Sequence, residues 1–250
     1  MGIIISYFSD DALKNKVETD YIKPKIYGKL DGPVFINLDY NNIYATRHYD
    51  ASLWVSTVVS GNLNKAWNEG LPKLKEYING KNQKKWVLPK PCIVTMKRTC
   101  SNEFNAKLNL NSNLIETNKT TVSMFISKHF SCEAPGPLDS TVFLQEEYKR
   151  IFYCGIFNGQ YFAEENTNKY FQILHAKLMS NNETFDKHSF IIAFYNIKIK
   201  KIGKQKYFEC WLYGDRIESD FKCLKTYQEE NNELEESKGE MENDAGENDD

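Results

Sequence analysis

The sequence predicts an α+β fold made of two repeats of a strand–helix–strand–strand unit, about residues 40–130 and 140–213. Three observations predict this fold. Short runs of alternating apolar and polar residues are typical of strands, and two longer stretches carry apolar residues on one helical face. The same order of elements then recurs in both halves of the chain. Amphipathic helices in this order lie on one face of an antiparallel sheet, so we expect one pseudo-symmetric domain.

The first repeat begins with the run LWVSTVV, whose residues 53–59 alternate between two faces as a strand requires. A helix follows and ends near Gly80, a residue suited to a C-terminal cap. Pro72 lies inside the helical pattern and either begins the helix or kinks it. The apolar stripe of this helix, at spacings of four, three and four, consists of Trp67, Leu71, Leu74 and Ile78.

Two further strands complete the first repeat. The run KKWVLPKPCIVTMK predicts a strand interrupted by Pro89 and Pro91, which fits an edge or a bulged entry. The run TTVSMFIS alternates cleanly, with Val122, Met124 and Ile126 on one face. The turn-rich run CEAPGPLDS then separates the two repeats.

The second repeat follows the same order. The run KRIFYCGIF predicts a strand, and the next helix is expected to be capped near Asn166 or Thr167. The runs SFIIAFYNIKI and KYFECWLY predict the last two strands. The apolar face of the second helix consists of Tyr170, Phe171, Leu174 and Leu178.

The net charge of −2 hides a strong asymmetry along the chain. Residues 227–250 carry eleven acids and one lysine, so residues 1–226 hold the other 23 acids and 31 bases, a balance of +8. We therefore expect a polar leader over 1–34, a folded domain over 35–226 and an acidic, disordered tail over 227–250. A basic body suits anionic partners, although most single lysines are expected to be ordinary solvated surface.

The composition also bounds the cellular setting. The chain has no run of about 18 apolar residues, so no transmembrane segment is expected. The N-terminal run MGIIISYFSDD lacks the basic region of a secretory signal, and we expect a cytoplasmic protein. The same run matches the permissive myristoylation pattern at Gly2, a weak indication of membrane contact. The six cysteines show no C-x-x-C spacing, and Cys154 and Cys210 are expected to be buried free thiols.

The usual enzyme motifs are missing from the chain. It has no G-x-S-x-G, no G-x-x-x-x-G-K-[ST] and no G-x-G-x-x-G, so we expect no catalytic activity. No RNP-like motif accompanies the aromatic and basic residues, and nucleic acid is not expected as a partner. The four histidines, at positions 48, 129, 175 and 188, are too scattered to favour a multi-histidine metal site. Non-covalent binding of a planar, apolar, anionic ligand or of a protein remains.

His48 is the histidine that best fits such a ligand. It follows Arg47 and lies near Tyr44, Tyr49 and Trp54 in the run YATRHYDASLWVST. A tetrapyrrole needs an apolar slot, basic groups for its propionates and, optionally, one axial nitrogen on the iron. This chain can supply all three. The competing interpretation is a strand histidine that bonds to solvent or to a neighbour on a wet sheet face.

Several runs resemble the SOUL haem-binding family. The run RHYDASLWVSTVV, followed by GLPKLKEYINGKNQKK, is similar to the family's Tyr-x-x-Arg-x-Tyr, Trp-Val-Ser-Thr and Tyr-Ile-x-Gly-x-Asn blocks. The similarity continues through PGPLDSTVFLQ, IFNG, AFY and ECWL, and it covers about residues 40 to 213. The first block is specific, whereas the later ones persuade mainly by their order and spacing.

The resemblance implies a fold, a ligand and a site. The family fold is a distorted antiparallel β-barrel of two such repeats, flanked by two helices. The implied ligand is haem or another porphyrin, and His48 matches the axial histidine of the histidine-bearing animal branch. Arg47, Lys84 and Lys85 are the candidate propionate partners, and one axial ligand implies exchangeable haem. The competing hypothesis is a protein-interaction scaffold with vestigial haem binding, linked to mitochondrial permeability or cell death.

Three positions depart from the family pattern. Pro89 stands where threonine is expected, and Cys154 replaces an arginine, so a basic partner of the ligand is lost. Phe194 replaces a glycine that allows close backbone approach, and it is expected to fill part of a groove. These changes favour the scaffold hypothesis, whereas the aromatic surroundings of His48 favour haem binding.

Overall fold

The structure is a computed structural model that describes residues 23–24, 27–91, 93–99, 119–158, 162–195, 201–204 and 207–216. The acidic tail, Gly2 and most of the polar leader lie outside these residues. Within them the chain forms nine strands and two α-helices. No helix of this described part is long and apolar enough to cross a membrane.

The strands form one antiparallel sheet that curls into a half-barrel. Its strand order is β1-β2-β7-β9-β8-β4-β5-β3-β6. The predicted α+β class with two flanking helices and a distorted barrel is thus confirmed. The strands are β1 (Phe35–Tyr40), β2 (Tyr44–Tyr49), β3 (Ser52–Ser60), β4 (Val94–Thr99), β5 (Lys119–Ile126), β6 (Val142–Glu147), β7 (Arg150–Asn158), β8 (Ser189–Phe194) and β9 (Tyr207–Arg216).

The two repeats are visible in this strand order. With α1 (Leu63–Ile78) and α2 (Thr167–Ser180), the chain contains β3-α1-β4-β5 and then β7-α2-β8-β9, the predicted unit twice. The two units meet where β4 pairs with β8. The strand that precedes each unit pairs with a strand of the other unit. Strand β2, before the first unit, pairs with β7, and β6, before the second unit, pairs with β3. This exchange ties the halves together, as expected for one pseudo-symmetric domain.

Helix α1 begins earlier than Pro72 and continues through it. The Asn62 side chain accepts a hydrogen bond from the Lys65 amide at 2.9 Å, and the Glu164 carboxylate accepts one from the Leu63 amide. Both contacts satisfy amides that a helix start leaves unpaired. The helix ends before Gly80, whose φ of +106° favours glycine, as predicted.

The helices cover one face of the sheet, which we call the helix face. The predicted stripes of α1 and α2 are buried there, and α2 begins at Thr167, as predicted. Helix α1 approaches the sheet closely, because a Cβ added at Gly70 would lie 2.9 Å from Cγ2 of Val122. Burial of each large apolar side chain contributes on the order of 1.5–3 kcal/mol. The helix face therefore holds the larger of the two apolar cores.

The opposite, concave face carries a second core. Its aromatic members on the strands come from β1, β2, β3, β5, β7 and β9, and they meet because the sheet curls. Tyr27, from the segment before β1, is buried against this core and stacks on Tyr195, with ring centroids 6.1 Å apart. Part of the residue range predicted as a leader thus packs on the domain.

Two predictions of local structure were wrong or incomplete. The run KKWVLPKPCIVTMK is a strand only from Val94 onward, because residues 79–91 form a loop with isolated bridges at Asn82, Val87 and Pro91. Prolines donate no amide hydrogen bond, which explains the late start of the strand. The predicted strand–helix–strand–strand order also leaves out three strands of the structure, β1, β2 and β6.

Candidate functional site

His48 lies on β2, on the helix face of the sheet. Tyr44 and Thr46 share this face because side chains alternate along a strand. The residues opposite His48 are Ile36 on β1 and Ile151 on β7. All three are partly buried. His48 is thus an imidazole between two aliphatic side chains.

The electrostatics around His48 favour a neutral ring. Burial lowers the pKa of His48, and the ammonium of Lys149 lowers it further. Asp50 acts in the opposite direction but does not reverse the shift. A neutral imidazole has a free nitrogen lone pair, which is the form that binds a metal.

Two lysines surround the single carboxylate of Asp50. Nζ of Lys128 is 3.0 Å from Oδ2 of Asp50, and Nζ of Lys149 is 3.6 Å from Oδ1. Together, the two lysines and Asp50 carry a net charge of +1, and Asp50 is two residues along the chain from His48. These two lysines were missed in the sequence, since only the pairing of β2 with β7 and the turn after β5 bring them here.

Arg47 faces the other way. As the neighbour of His48 on one strand, it points to the concave face, where it is 7% exposed. Its Nη1 and Nη2 donate to Glu209 on β9 at 2.9 and 3.1 Å. Its guanidinium also lies 4.5 Å from the ring centre of Phe35. The structure therefore does not bring Arg47 and His48 to one ligand.

Glu209 is the centre of a buried polar network. Its carboxylate accepts hydrogen bonds from Arg47, the hydroxyls of Tyr195 and Tyr207, and the indole of Trp211. Burial alone would raise the pKa of Glu209, but Arg47 and these donors outweigh it and lower the pKa. A buried ion pair with four donors to one carboxylate is a structural feature of the barrel interior, although Nε of Arg47 has no hydrogen-bond partner among the described residues.

Lys84 and Lys85 lie in the loop that follows α1. Nζ of Lys84 is 4.2 Å from the ring centre of Trp86 and donates to the Glu133 carbonyl at 3.1 Å. Lys85 is exposed and has a φ of +56°. This loop packs against residues 133–137, whereas the strand neighbours of His48 are on β1 and β7. The four predicted residues thus occupy three separate environments.

Asn82 organises this lysine loop. Its buried amide donates to the carbonyls of Tyr77 and Trp86, at 3.0 and 2.7 Å, and accepts from the Trp86 amide at 3.0 Å. We expect Asn82→Ala to lower the free energy of unfolding by about 2–3 kcal/mol, because several backbone groups lose their partner. Urea denaturation measures this change. Lys81→Ala is the control, because it removes only an exposed ion pair, and its free energy of unfolding should stay within about 0.5 kcal/mol of that of the unaltered chain. Equal losses in the two variants would contradict the role of Asn82 in the loop.

The three departures occupy different places. Pro89 is exposed in the loop before β4. Cys154 is fully buried on the concave face, where burial raises the pKa of its thiol despite the neighbouring Arg47. Cys154 and Cys210 are both buried free thiols, as predicted. Phe194 is fully buried on the helix face, with its ring centre 5.3 Å from that of Trp67 and 5.1 Å from that of Phe162.

The described residues contain no group of three or more His, Cys, Asp and Glu side chains that could hold a metal ion. His48, beside apolar and basic groups, is the candidate for a single-residue metal ligand. The fold and this site define the class: an α+β protein with a curled antiparallel sheet, two internal repeats and one candidate axial ligand.

The family model described as SOUL heme-binding protein matches residues 30–213, and the chain belongs to this family. Heme-binding protein 2 of Homo sapiens is 28% identical over 170 residues, which cover 68% of this chain and 77% of that protein. Heme-binding protein 2 of Mus musculus is 24% identical over 170 residues, with the same shares covered. The resemblance inferred from the quoted runs is thus confirmed.

The similar solved structures share much less sequence identity with this chain than the two relatives do. A hydrolase encoded by lin2189 from Listeria innocua has a TM-score of 0.41 and 9% identity, covering 68% of this chain and 90% of that chain. SAV2435 bound to tetraphenylphosphonium has a TM-score of 0.38 and 9% identity, covering 69% and 93%. At these values the likeness has no bearing on function.

Proposed function

We propose that this protein binds haem or a related tetrapyrrole without catalysing a reaction, with His48 as a single axial ligand. Membership of a heme-binding family supports the ligand class. The observation that carries the choice of residue is the half-buried imidazole of His48 between Ile36 and Ile151, with a lowered pKa. We further propose that the protein acts in the cytoplasm.

The surroundings of His48 fit such a ligand in chemical terms. Bound haem would present an iron that accepts a nitrogen ligand and two propionates that need cations. Ile36 and Ile151 offer apolar contact, and the imidazole is neutral at pH 7 because its pKa is lowered. Lys128 and Lys149 exceed the charge of Asp50 by one, so they are the propionate partners that we propose on this face.

The partners predicted from the sequence differ in how well they suit this role. The guanidinium of Arg47 is committed to Glu209 on the opposite face of the sheet. Lys84 and Lys85 are exposed and remain candidates for a ligand that reaches the loop after α1. If His48 is the one protein ligand to the iron, we expect modest affinity and exchange of haem rather than permanent retention.

The first test is an absorbance titration of the full chain with hemin. We expect His48→Ala to weaken saturable binding by about ten- to hundredfold and to change the shape of the Soret band, because the axial nitrogen is lost. His188→Ala is the matched control, since His188 is an exposed histidine at the start of β8. A chain that ends at Thr226 tests whether the acidic tail contributes.

The outcomes separate the elements of the proposal. Saturable binding that His48→Ala leaves unchanged would keep haem as the ligand and remove His48 as its axial partner. Two further variants then show which lysines contact the propionates: Lys149→Met, and Lys84→Met combined with Lys85→Met. A lysine that contacts a propionate is identified by weaker hemin binding whose affinity depends less on the salt concentration. The absence of saturable binding by the unaltered chain would contradict the proposed function.

One observation favours the second candidate function, a protein-interaction scaffold. Phe194 fills the space at which the family pattern has a glycine, and it packs against Trp67 and Phe162. A ligand groove at that position would be closed. Under this alternative haem binding is vestigial and a protein partner, linked to mitochondrial permeability or cell death, binds the basic body or the acidic tail.

A further inference from the structure

The concave face of the sheet contains a cleft that the proposed haem site does not use. Aromatic side chains form one wall, with the ring centre of Phe152 5.4 Å from that of Trp211 and 5.0 Å from that of Tyr213. The other wall is rich in hydroxyls, such as those of Thr95 and Thr121. A wall of rings facing a wall of hydroxyls suits a flat ligand that also has a polar group.

Lys97 lies in this cleft and has no ion pair within the described part of the chain. Its side chain projects from β4, and its ammonium lies 4.5 Å from the ring centre of Tyr213. Glu147 also lines the cleft, but Arg150 compensates its charge at 3.4 Å. Of the two charged side chains in the described lining, Lys97 is thus the one without an ion pair, whereas Glu147 is paired with Arg150 outside the lining. A cationic ligand would face this lysine, whereas an anion would pair with it.

The size of the cleft limits the ligand. Its open interior is about 40 Å³. A single water needs roughly 10–15 Å³ measured in this way, so the interior has room for about three waters, and a ligand with one six-membered ring would lie partly in the open mouth of the cleft. A tetrapyrrole is far too large. Because Arg47 and His48 point to opposite faces, a ligand in this cleft does not compete with a group on His48.

We propose that this cleft binds a carboxylate carried on a single aromatic ring, of the benzoate class. The ring lies against Phe152, Trp211 and Tyr213, and the carboxylate accepts hydrogen bonds from the Lys97 ammonium. Such charge-assisted hydrogen bonds are about twice as strong as neutral ones, and the half-buried position of Lys97 limits their screening by water. The proposal does not depend on haem binding.

The four tryptophans of the chain allow a direct test. Trp54 and Trp211 line the cleft, whereas Trp67 belongs to α1 and Trp86 to the loop after it. Nuclear magnetic resonance of the full chain, labelled with ¹⁵N, resolves their indole N–H groups during a titration with benzoate. We expect saturable shifts of the Trp54 and Trp211 signals, with those of Trp67 and Trp86 unchanged.

Variants of Lys97 test the role of the charge. We expect Lys97→Met to weaken benzoate binding by about ten- to hundredfold, and Lys97→Arg to stay within about threefold of the unaltered chain. Lys187→Met is the matched control, since Lys187 lies over the ring of Phe185 at 5.9 Å, outside the cleft. Benzamide keeps the ring and lacks the charge. It should bind to the unaltered chain at least tenfold more weakly than benzoate does, which is about the loss expected for benzoate in Lys97→Met.

Three results would overturn the proposal. These are the absence of a saturable shift with benzoate, equal binding of benzoate and benzamide, and an affinity that Lys97→Met leaves unchanged. If Lys97→Met fails to fold, Lys97→Arg together with benzamide still decides whether the charged pair exists. Shifts at Trp67 or Trp86 instead of the cleft tryptophans would also place the ligand elsewhere and overturn the assignment.

Discussion

Replacement of Arg47 by methionine is expected to lower the free energy of unfolding by about 3–5 kcal/mol, because it leaves a buried carboxylate without its cation. Glu209 is fully buried, and Arg47 is the cation that contacts it, through two hydrogen bonds. The hydroxyls of Tyr195 and Tyr207 would still donate to Glu209 but cannot neutralise its charge. Urea denaturation with linear extrapolation measures the loss.

A double variant separates the lost ion pair from simple loss of packing. Gln at position 209 keeps an acceptor for Trp211 and removes the charge, so Arg47→Met with Glu209→Gln should be more stable than Arg47→Met alone. A double variant that is less stable than the single one would contradict this explanation. Hemin affinity per folded molecule should change less than threefold in Arg47→Met, because Arg47 does not share a face with His48.

The pH dependence of this effect has a definite sign. In the unaltered chain the pKa of Glu209 is lowered, so its stabilisation is present above the ordinary carboxyl range and is lost as the pH falls through the lowered pKa. In Arg47→Met burial should instead raise the pKa of Glu209, and the penalty of the buried charge is relieved on protonation. The difference in stability between the two proteins should therefore be smaller at pH 5 than at pH 7.

Replacement of Phe194 by alanine is expected to cost about 3–5 kcal/mol of folding stability, because it leaves a cavity between the helices and the sheet. Phe194 is fully buried and contacts Trp67 of α1 and Phe162, which precedes α2. Its ring therefore joins the two repeats at the β4–β8 seam. Thermal and urea denaturation measure the loss.

Phe143→Ala is the matched control, since Phe143 is 39% exposed on β6 and should lose no more than about 1 kcal/mol. Equal losses in the two variants would show that Phe194 has no special role. The same variant distinguishes the candidate functions. Haem bound at His48 should keep its affinity within about threefold in Phe194→Ala, whereas a clear gain in affinity would indicate that a groove closed by Phe194 is the ligand site.

Local patterns in the sequence predicted much of the fold. The stripe of Trp67, Leu71, Leu74 and Ile78 predicted α1, and the run TTVSMFIS predicted β5, because both follow the period of one element. The repeat was recognisable for the same reason. The predicted repeat left out the strands β1, β2 and β6. Of these, β2 and β6 pair with strands in the other half of the chain, whereas β1 pairs with the neighbouring β2.

The candidate site was less predictable than the fold. His48 and Arg47 are adjacent in sequence, which suggested one ligand for both, yet alternation along β2 directs them to opposite faces. Lys149 is about a hundred residues away and reaches the His48 region only through the register of β2 with β7. The partner of Arg47 is Glu209, on a strand that does not pair with β2.

By itself the sequence determined the class, the repeated order of elements, the family and the helix stripes, because periodicity and motif spacing are properties of neighbouring residues. Only the tertiary structure decided which side chains face each other. It placed Arg47 in a buried ion pair, two lysines beside Asp50, Phe194 at the seam between the repeats and Lys97 in an aromatic cleft. The physical reason is that burial and charge pairing depend on strand register and sheet curvature, which join residues far apart in the chain.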